Sequence, residues 1–258
     1  VPVVPVVPVV PVVMTGVMGW MWWQELSSLV LPVGCAGCGQ GRVLLCEECR
    51  VVLAPGPARR VRPRPEPAGL PPVYACAGYA DQIRAVLLAH KERGALPLAG
   101  PLGDVLAAAV TGLCRAVGPR GGRGGGVLQL VPVPSGRSAV ARRGHDPARR
   151  IALAAAARLR RDGSAVRVHC ALRRRREVWD QVGLSAAQRR TNLAGALAAV
   201  PHGGRWGGPV VLVDDLVTTG ASLAEAARAV RAVRAPDPLL GAAVVTVPGW
   251  PAGGGTHR

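Results

Sequence analysis

Four short apolar runs, each followed or preceded by a helical pattern, constrain this chain most. They are VLQLVPVP at 127–134, AVRVHC at 165–170, PVVLVD at 209–214 and LLGAAVVTV at 239–247. Each is short enough to read as a strand, and 127–134 and 210–213 read as strands buried on both faces. Between and around them lie segments of helical periodicity: 79–92, roughly 98–117, a long Ala-rich stretch at 138–161, and 221–234. Strands alternating with helices specify an α/β fold with a parallel sheet flanked by helices. The core has to be built from Val, Leu and Ala, because aromatics make up 3% of the chain and Phe is absent.

The chain of 258 residues has room for one domain of ordinary size and a small appendage. Hydrophobic residues are 49%, which excludes wholesale disorder. Residues 1–19 open on the repeat VPVVPVVPVVPVV, in which Pro at every third position permits an extended segment but neither helix nor central strand. One reading places this repeat ahead of the true start; the other makes it a sticky extended tail. Residues 20–54 form a cysteine-bearing head that opens on a short amphipathic pattern, WMWWQELSSLVL at 20–31. The Pro/Arg-rich stretch 55–72 reads as a linker, 73–248 as the main domain, and 249–258 as a frayed tail. No stretch of about 20 apolar residues is free of Pro and Gly, so no membrane span is expected. The first basic residue is Arg42, and with no positive flank for a secretory signal a cytoplasmic location is expected.

Basic residues number 32 against 15 acidic, a formal charge of +17. All but one of the 32 are Arg, which reflects GC-rich coding; the excess over acids is a separate fact and favours anionic partners. Arg142, Arg143, Arg149 and Arg150, and then Arg173–Arg176, are either a solvated basic face or phosphate contacts.

Two cysteine pairs, Cys35–Cys38 and Cys46–Cys49, form CxxC-x7-CxxC. Two residues between thiolates let both sulfurs of a knuckle reach one ion at about 2.3 Å, and four thiolates close a tetrahedral structural zinc site. Two unlinked reduced pairs are the alternative. Cys76, Cys114 and Cys170 sit in apolar contexts and read as small core residues.

The segment from Val210 to Ser222, VVLVDDLVTTGAS, carries the most chemistry. Its apolar half is a strand. Asp214 and Asp215 stand at the carboxyl end, where open α/β sheets bind ligands. Val217, Thr218, Thr219, Gly220, Ala221 and Ser222 make a turn of small and hydroxylated residues into a helix, whose amides and N-terminal partial charge suit a phosphate. The acids repel phosphate and suit sugar hydroxyls or a ligand-held cation. After the first core strand, Pro134, Ser135, Gly136 and Arg137 form either a plain turn or a second phosphate loop.

This segment resembles the phosphoribosyl pyrophosphate loop of type I phosphoribosyltransferases. The order of a four-cysteine head, AHKERG, LVPVP, RRG and Q-x-x-L-x(4)-R-x-x-N ahead of the acidic loop resembles the ComF family of competence-associated phosphoribosyltransferase-like proteins, over about 22–247. The resemblance implies that Asp214 and Asp215 hold the ribose hydroxyls and that Val217–Ser222 wraps the 5-phosphate. It implies a pyrophosphate loop at 134–137 and a hood over 173–192 bearing Gln181, Arg189 and Asn192, with Lys91, Arg143 and Gly144 as accessory contacts. It implies Mg²⁺ with the ligand, release of pyrophosphate to a nitrogenous acceptor, and a glycosyltransferase activity. The only Lys, Lys91, and the only Asn, Asn192, both fall in these motifs. The family's RGFNQ-like segment is here Arg143-Gly144-His145-Asp146-Pro147, without the aromatic and the amide. The competing expectations are a competence protein whose basic surface binds single-stranded DNA or partner proteins, and a nucleotide sensor that binds without turnover.

Overall fold

The structure, a computed structural model, describes residues 34–79, 81–117, 126–176, 192–200, 207–233 and 239–249. The repeat at 1–13, the amphipathic pattern at 20–31, Gln181 and Arg189 lie outside the described residues.

Among the described residues there are eight strands: β1 (Arg59–Val61), β2 (Val73–Gly78), β3 (Leu128–Pro132), β4 (Val166–Val168), β5 (Leu172–Arg174), β6 (Leu197–Ala199), β7 (Val210–Leu216) and β8 (Leu239–Val247). The helices are α1 (Glu47–Leu53), α2 (Asp81–Glu92), α3 (Ala99–Val117), α4 (Arg137–Arg143), α5 (Pro147–Arg161) and α6 (Ala221–Arg231), with a 3₁₀ turn at Leu96–Leu98. Six strands make one sheet in the order β1-β2-β8-β7-β3-β4. Every pairing in it is parallel except β1 with β2. A separate antiparallel pair joins β5 to β6. The fold is thus α/β with a mostly parallel sheet, as the apolar runs require.

The alternation of side chains along β7 shows why the sheet needs cover on both faces. Val211 and Val213 enter one core with α1, α2, α3 and α5. Val210 and Leu212 enter the other, with α6, β5 and β6. All four are fully buried, and each such side chain contributes roughly 1.5–3 kcal/mol. The cysteine head is part of this packing: Cys35, Leu45, Cys49 and Leu53 belong to the same buried cluster as Ile83, Val86 and Leu106.

Three elements differ from the sequence expectation. The helix expected over 138–161 is two helices. α4 ends at Gly144 in the left-handed region (φ 74°), and α5 restarts with Asp146 as N-cap and Pro147 in the first turn. The linker stretch 55–72 contributes β1, an edge strand paired with β2 by backbone bonds that charged side chains do not disturb. The Arg-dense stretch after 172 begins as β5. One described stretch, Leu96–Val117, is long and apolar enough to cross a membrane by length and composition. Here it is the central helix of the first core, with Leu98, Leu102, Val105, Leu106, Ala109, Val110 and Leu113 buried.

The topology places one crevice. β3 and β7 are adjacent and parallel. The chain leaving β3 runs through α4 into α5 on the first core's face, whereas the chain leaving β7 enters α6 on the opposite face. Adjacent strands whose connections depart to opposite sides leave a gap at their carboxyl ends, the place where open α/β sheets bind ligands.

Candidate functional site

At that edge Asp214 and Asp215 end β7. Pro132 is in register with Val213, and the amide of Val133 continues the ladder to the Val213 carbonyl at 2.9 Å. Residues 134–137 therefore emerge beside the two acids. Asp214 is half-buried, and one of its oxygens accepts the Asp215 amide at 2.9 Å. Burial, and then the charge of Asp215, push the Asp214 carboxyl well above the usual range, so it tends to keep its proton. Asp215 is held by an ion pair: Lys91 Nζ donates to its Oδ2 at 3.0 Å, and the Asp215 side chain is 13% exposed. The charge of Asp215 raises the Lys91 pKa against the opposing effect of burial. Lys91 and Asp215 are 124 residues apart in sequence.

The last turn of α2 ties three elements together. Lys91 reaches the end of β7. Glu92 accepts a two-pronged bond from Arg143 of α4, at 2.8 Å from Nε and 2.5 Å from Nη2. The carbonyl of His90 meets Nε2 of His145 at 3.2 Å. Lys91, Arg143 and Gly144, expected as accessory contacts, are thereby gathered at one place.

The turn after β7 keeps part of its donor set free. The Val217 amide bonds the Thr246 carbonyl at 3.3 Å and the Ala221 amide meets Thr219 Oγ1 at 3.4 Å. Among the described residues no hydrogen bond engages the amides of Thr218 or Thr219, and Thr218 is exposed. Gly220 is the N-cap of α6, with φ 74° and no side-chain cap. Ala221 and Ser222 begin the helix, so its first-turn donors face the turn. A Cβ on Gly220 would lie 3.1 Å from Leu70 Cδ2 and 3.2 Å from Pro63 Cγ, which adds crowding to the backbone demand.

The loop after β3 is held from both sides. Arg174 Nε donates to the Pro134 carbonyl at 3.2 Å, and the Ser135 amide donates to Asp146 Oδ2 at 3.3 Å. Gly136 caps α4, and Arg137 is its exposed first residue. Arg176 Nη2 donates to the Asn192 backbone carbonyl at 2.8 Å, which ties Asn192 to the chain leaving β5. Arg174 belongs to the 173–176 run expected as a basic face or as phosphate contacts, whereas Glu92, Asp146, His90 and His145 were not among the site residues expected here. His90 and Glu92 flank Lys91 in AHKERG and His145 follows Gly144, and Asp146 has a local signal of its own, an Asp directly before a Pro that opens a helix. His169 follows β4, with its Nδ1 2.8 Å from the buried Gln129 amide, and packs as its strand position suggests.

The second site is the cysteine cluster. The sulfurs of Cys35, Cys38, Cys46 and Cys49 all lie within 4.8 Å of one another, so the four can hold one metal ion. Cys38 and Cys46 are 3.7 Å apart, close to the edge of about 3.8 Å that a tetrahedron with 2.3 Å bonds requires. Burial disfavours the Cys35 thiolate, but the amides of Cys46, Cys38 and Gly37 outweigh it and bring its pKa down to about 6. Gly37 is needed for approach, since a Cβ there would lie 2.6 Å from Cys49 Sγ.

A scan against models of known protein families finds no match, and a search of curated proteins finds none.

Proposed function

We propose that this chain is a phosphoribosyltransferase-like protein of the ComF kind, binding phosphoribosyl pyrophosphate at the carboxyl edge of β3 and β7. The observation that carries the reading is the acid pair at the end of β7, running into a turn with unengaged amides at the N-terminus of α6. A protonated Asp214 beside an ionised Asp215 offers both a donor and acceptors. Two neighbouring ribose hydroxyls, each of which donates and accepts, match that set. The 5-phosphate suits the Thr218–Ser222 turn, and the loop at Pro134–Arg137 suits the pyrophosphate. Transfer would break the bond between the anomeric carbon and pyrophosphate and form a bond to an acceptor nitrogen, which loses a proton. Charge would build on the ribose ring beside Asp215, and on the departing pyrophosphate near Arg137 and Lys91.

Mg²⁺ belongs to this reading as the ligand's companion. Asp214 favours its protonated form and Asp215 is already paired with Lys91, so the acids do not fit an ion resident on the protein. The cysteine cluster fits zinc in a closed structural role, since four thiolates leave no position open for chemistry.

The +17 charge favours a second reading, in which the same molecule binds single-stranded DNA through its phosphates. The two separate in one experiment. Pyrophosphate release from phosphoribosyl pyrophosphate is measured with a panel of nitrogenous acceptors, alongside salt-dependent DNA binding. The transferase reading expects release that Asp215→Asn abolishes. DNA binding unchanged in that variant, with no release in either protein, would replace it with the second reading.

A further inference from the structure

We infer that the β5–β6 ribbon braces the two loops of the carboxyl edge against each other, with Glu225, Arg228 and Arg174 as its positioning residues. Ladder bonds fix which backbone groups of the ribbon face outward. The Arg175 amide donates to the Ala196 carbonyl at 2.9 Å and the Val200 amide to the Ala171 carbonyl at 2.7 Å. Bonded and unbonded positions alternate in an antiparallel pair, so Leu197, opposite Arg174, points its N–H and C=O away from β5. Side chains of α6 take both groups. The Leu197 amide donates to Glu225 Oε1 at 3.0 Å, and Arg228 Nη2 donates to the Leu197 carbonyl at 2.9 Å. Arg228 also holds Glu225, with Nε on Oε2 at 2.7 Å and Nη2 on Oε1 at 2.8 Å. One ion pair thus engages Leu197 as a third strand would.

Glu225 is 6% exposed, a costly place for a carboxylate. Burial works against its ionised form, yet Arg228 and the Leu197 amide bring its pKa below the usual value. Cover for the second core does not require it, since Leu223, Ala226, Ala227 and Val230 of the same helix are buried there. The charged pair adds what those apolar side chains lack, a fixed register between α6 and the ribbon.

The far side of the ribbon holds the other loop. Arg174 faces Leu197 across the pair, and its Nε donates to the Pro134 carbonyl, 40 residues away in sequence. Leu172 and Leu197 pack with Val133 and with α6, so the span between the two ends is filled. The brace therefore runs from Pro134, at the head of the loop 134–137, to Glu225, about one and a half helical turns beyond Gly220. Among the described residues no hydrogen bond or ion pair joins that loop directly to the turn at 218–222. The brace stands on these contacts; that the braced gap takes the two phosphate ends of one ligand rests on the reading above.

Amide hydrogen exchange of the full chain, read residue by residue by NMR, tests the brace without a ligand. Three amides are followed: Leu197, bonded to Glu225; Ser135, bonded to Asp146; and Val211, inside the sheet. Glu225→Ala should speed exchange at Leu197 and also at Ser135, which Glu225 does not touch, by at least about tenfold, the order of one charged hydrogen bond. Val211 should keep its rate. Arg174→Ala should speed Ser135 likewise, and Arg174→Lys, which keeps a donor for Pro134, should restore it. Glu225→Gln keeps the side chain's size but not its charge, and carries the same expectation at Ser135 if Glu225→Ala does not fold. A Ser135 rate that stays unaltered in the Glu225 variant, or rises only as far as that of Val211, overturns the brace. Calorimetry with Mg²⁺ and either phosphoribosyl pyrophosphate or ribose 5-phosphate reads the ligand separately. Arg174→Ala should weaken the first and leave the second unchanged; equal weakening of both overturns the brace. Coupled exchange, with neither ligand bound by the unaltered protein, keeps the brace and refutes the ligand.

Discussion

Asp214 bears a carboxyl group that burial and the charge of Asp215 bias toward its protonated form. The sign of the consequence follows from linkage. A group whose folded pKa lies above its unfolded value contributes fully below the unfolded value, and that contribution is lost as pH rises through the folded one. Asp214→Asn keeps an oxygen for the Asp215 amide and removes the cost of ionisation. Its melting temperature should therefore exceed that of the unaltered protein at neutral pH, with the gap closing as the pH falls; a gap that widens on acidification would contradict the assignment. Gly220 is the other residue-scale test. Ala in its left-handed conformation costs roughly 1–2 kcal/mol, and its Cβ would crowd Leu70 and Pro63. Denaturant unfolding of Gly220→Ala should show at least that loss, with ligand binding weakened as well.

At the scale of elements, β3, β7 and β8 were legible because they are largely buried on both faces and so read as apolar runs, and β4 because Val166 and Val168 alternate with the exposed Arg167 at the sheet edge. The others were hidden for separate reasons. β1 is Arg-Arg-Val, held at an edge by backbone bonds. β2 is VYACAG, whose small residues carry little strand preference, and it exists because β8 lies in register beside it. β5 and β6 are three residues each. The break between α4 and α5 was written in Gly144 and Pro147 but was masked by Ala-rich periodicity on both sides. In the candidate site, the acid pair and the cysteine spacing were legible as local motifs. The partners of those motifs were not, because Lys91 to Asp215 and Arg143 to Glu92 are contacts between distant segments that spacing does not encode. The cysteine knuckles give this scale its own test. Metal analysis should find one tightly held ion per chain, and Gly37→Ala should lower that occupancy by forcing a methyl group against Cys49. Full occupancy in Gly37→Ala would show that the cluster tolerates the displacement.

The whole molecule has the head and the main sheet joined by one buried cluster, from Cys35 and Leu53 to α2 and α3. Removing the metal should therefore lower the melting temperature of the entire chain in a single calorimetric transition. Two transitions, with only the first sensitive to chelator, would mean that the head folds apart from the sheet. The same continuity joins the head to α2, whose last turn positions Lys91 at the carboxyl edge. The central claim is that this edge receives a phosphorylated pentose. Titration calorimetry with phosphoribosyl pyrophosphate and Mg²⁺, comparing the unaltered protein with Asp215→Ala, tests it most directly. The account predicts saturable binding that weakens by at least about tenfold, roughly 1.4 kcal/mol, in the variant. Heat that is absent from both proteins, or the same in both, would contradict it.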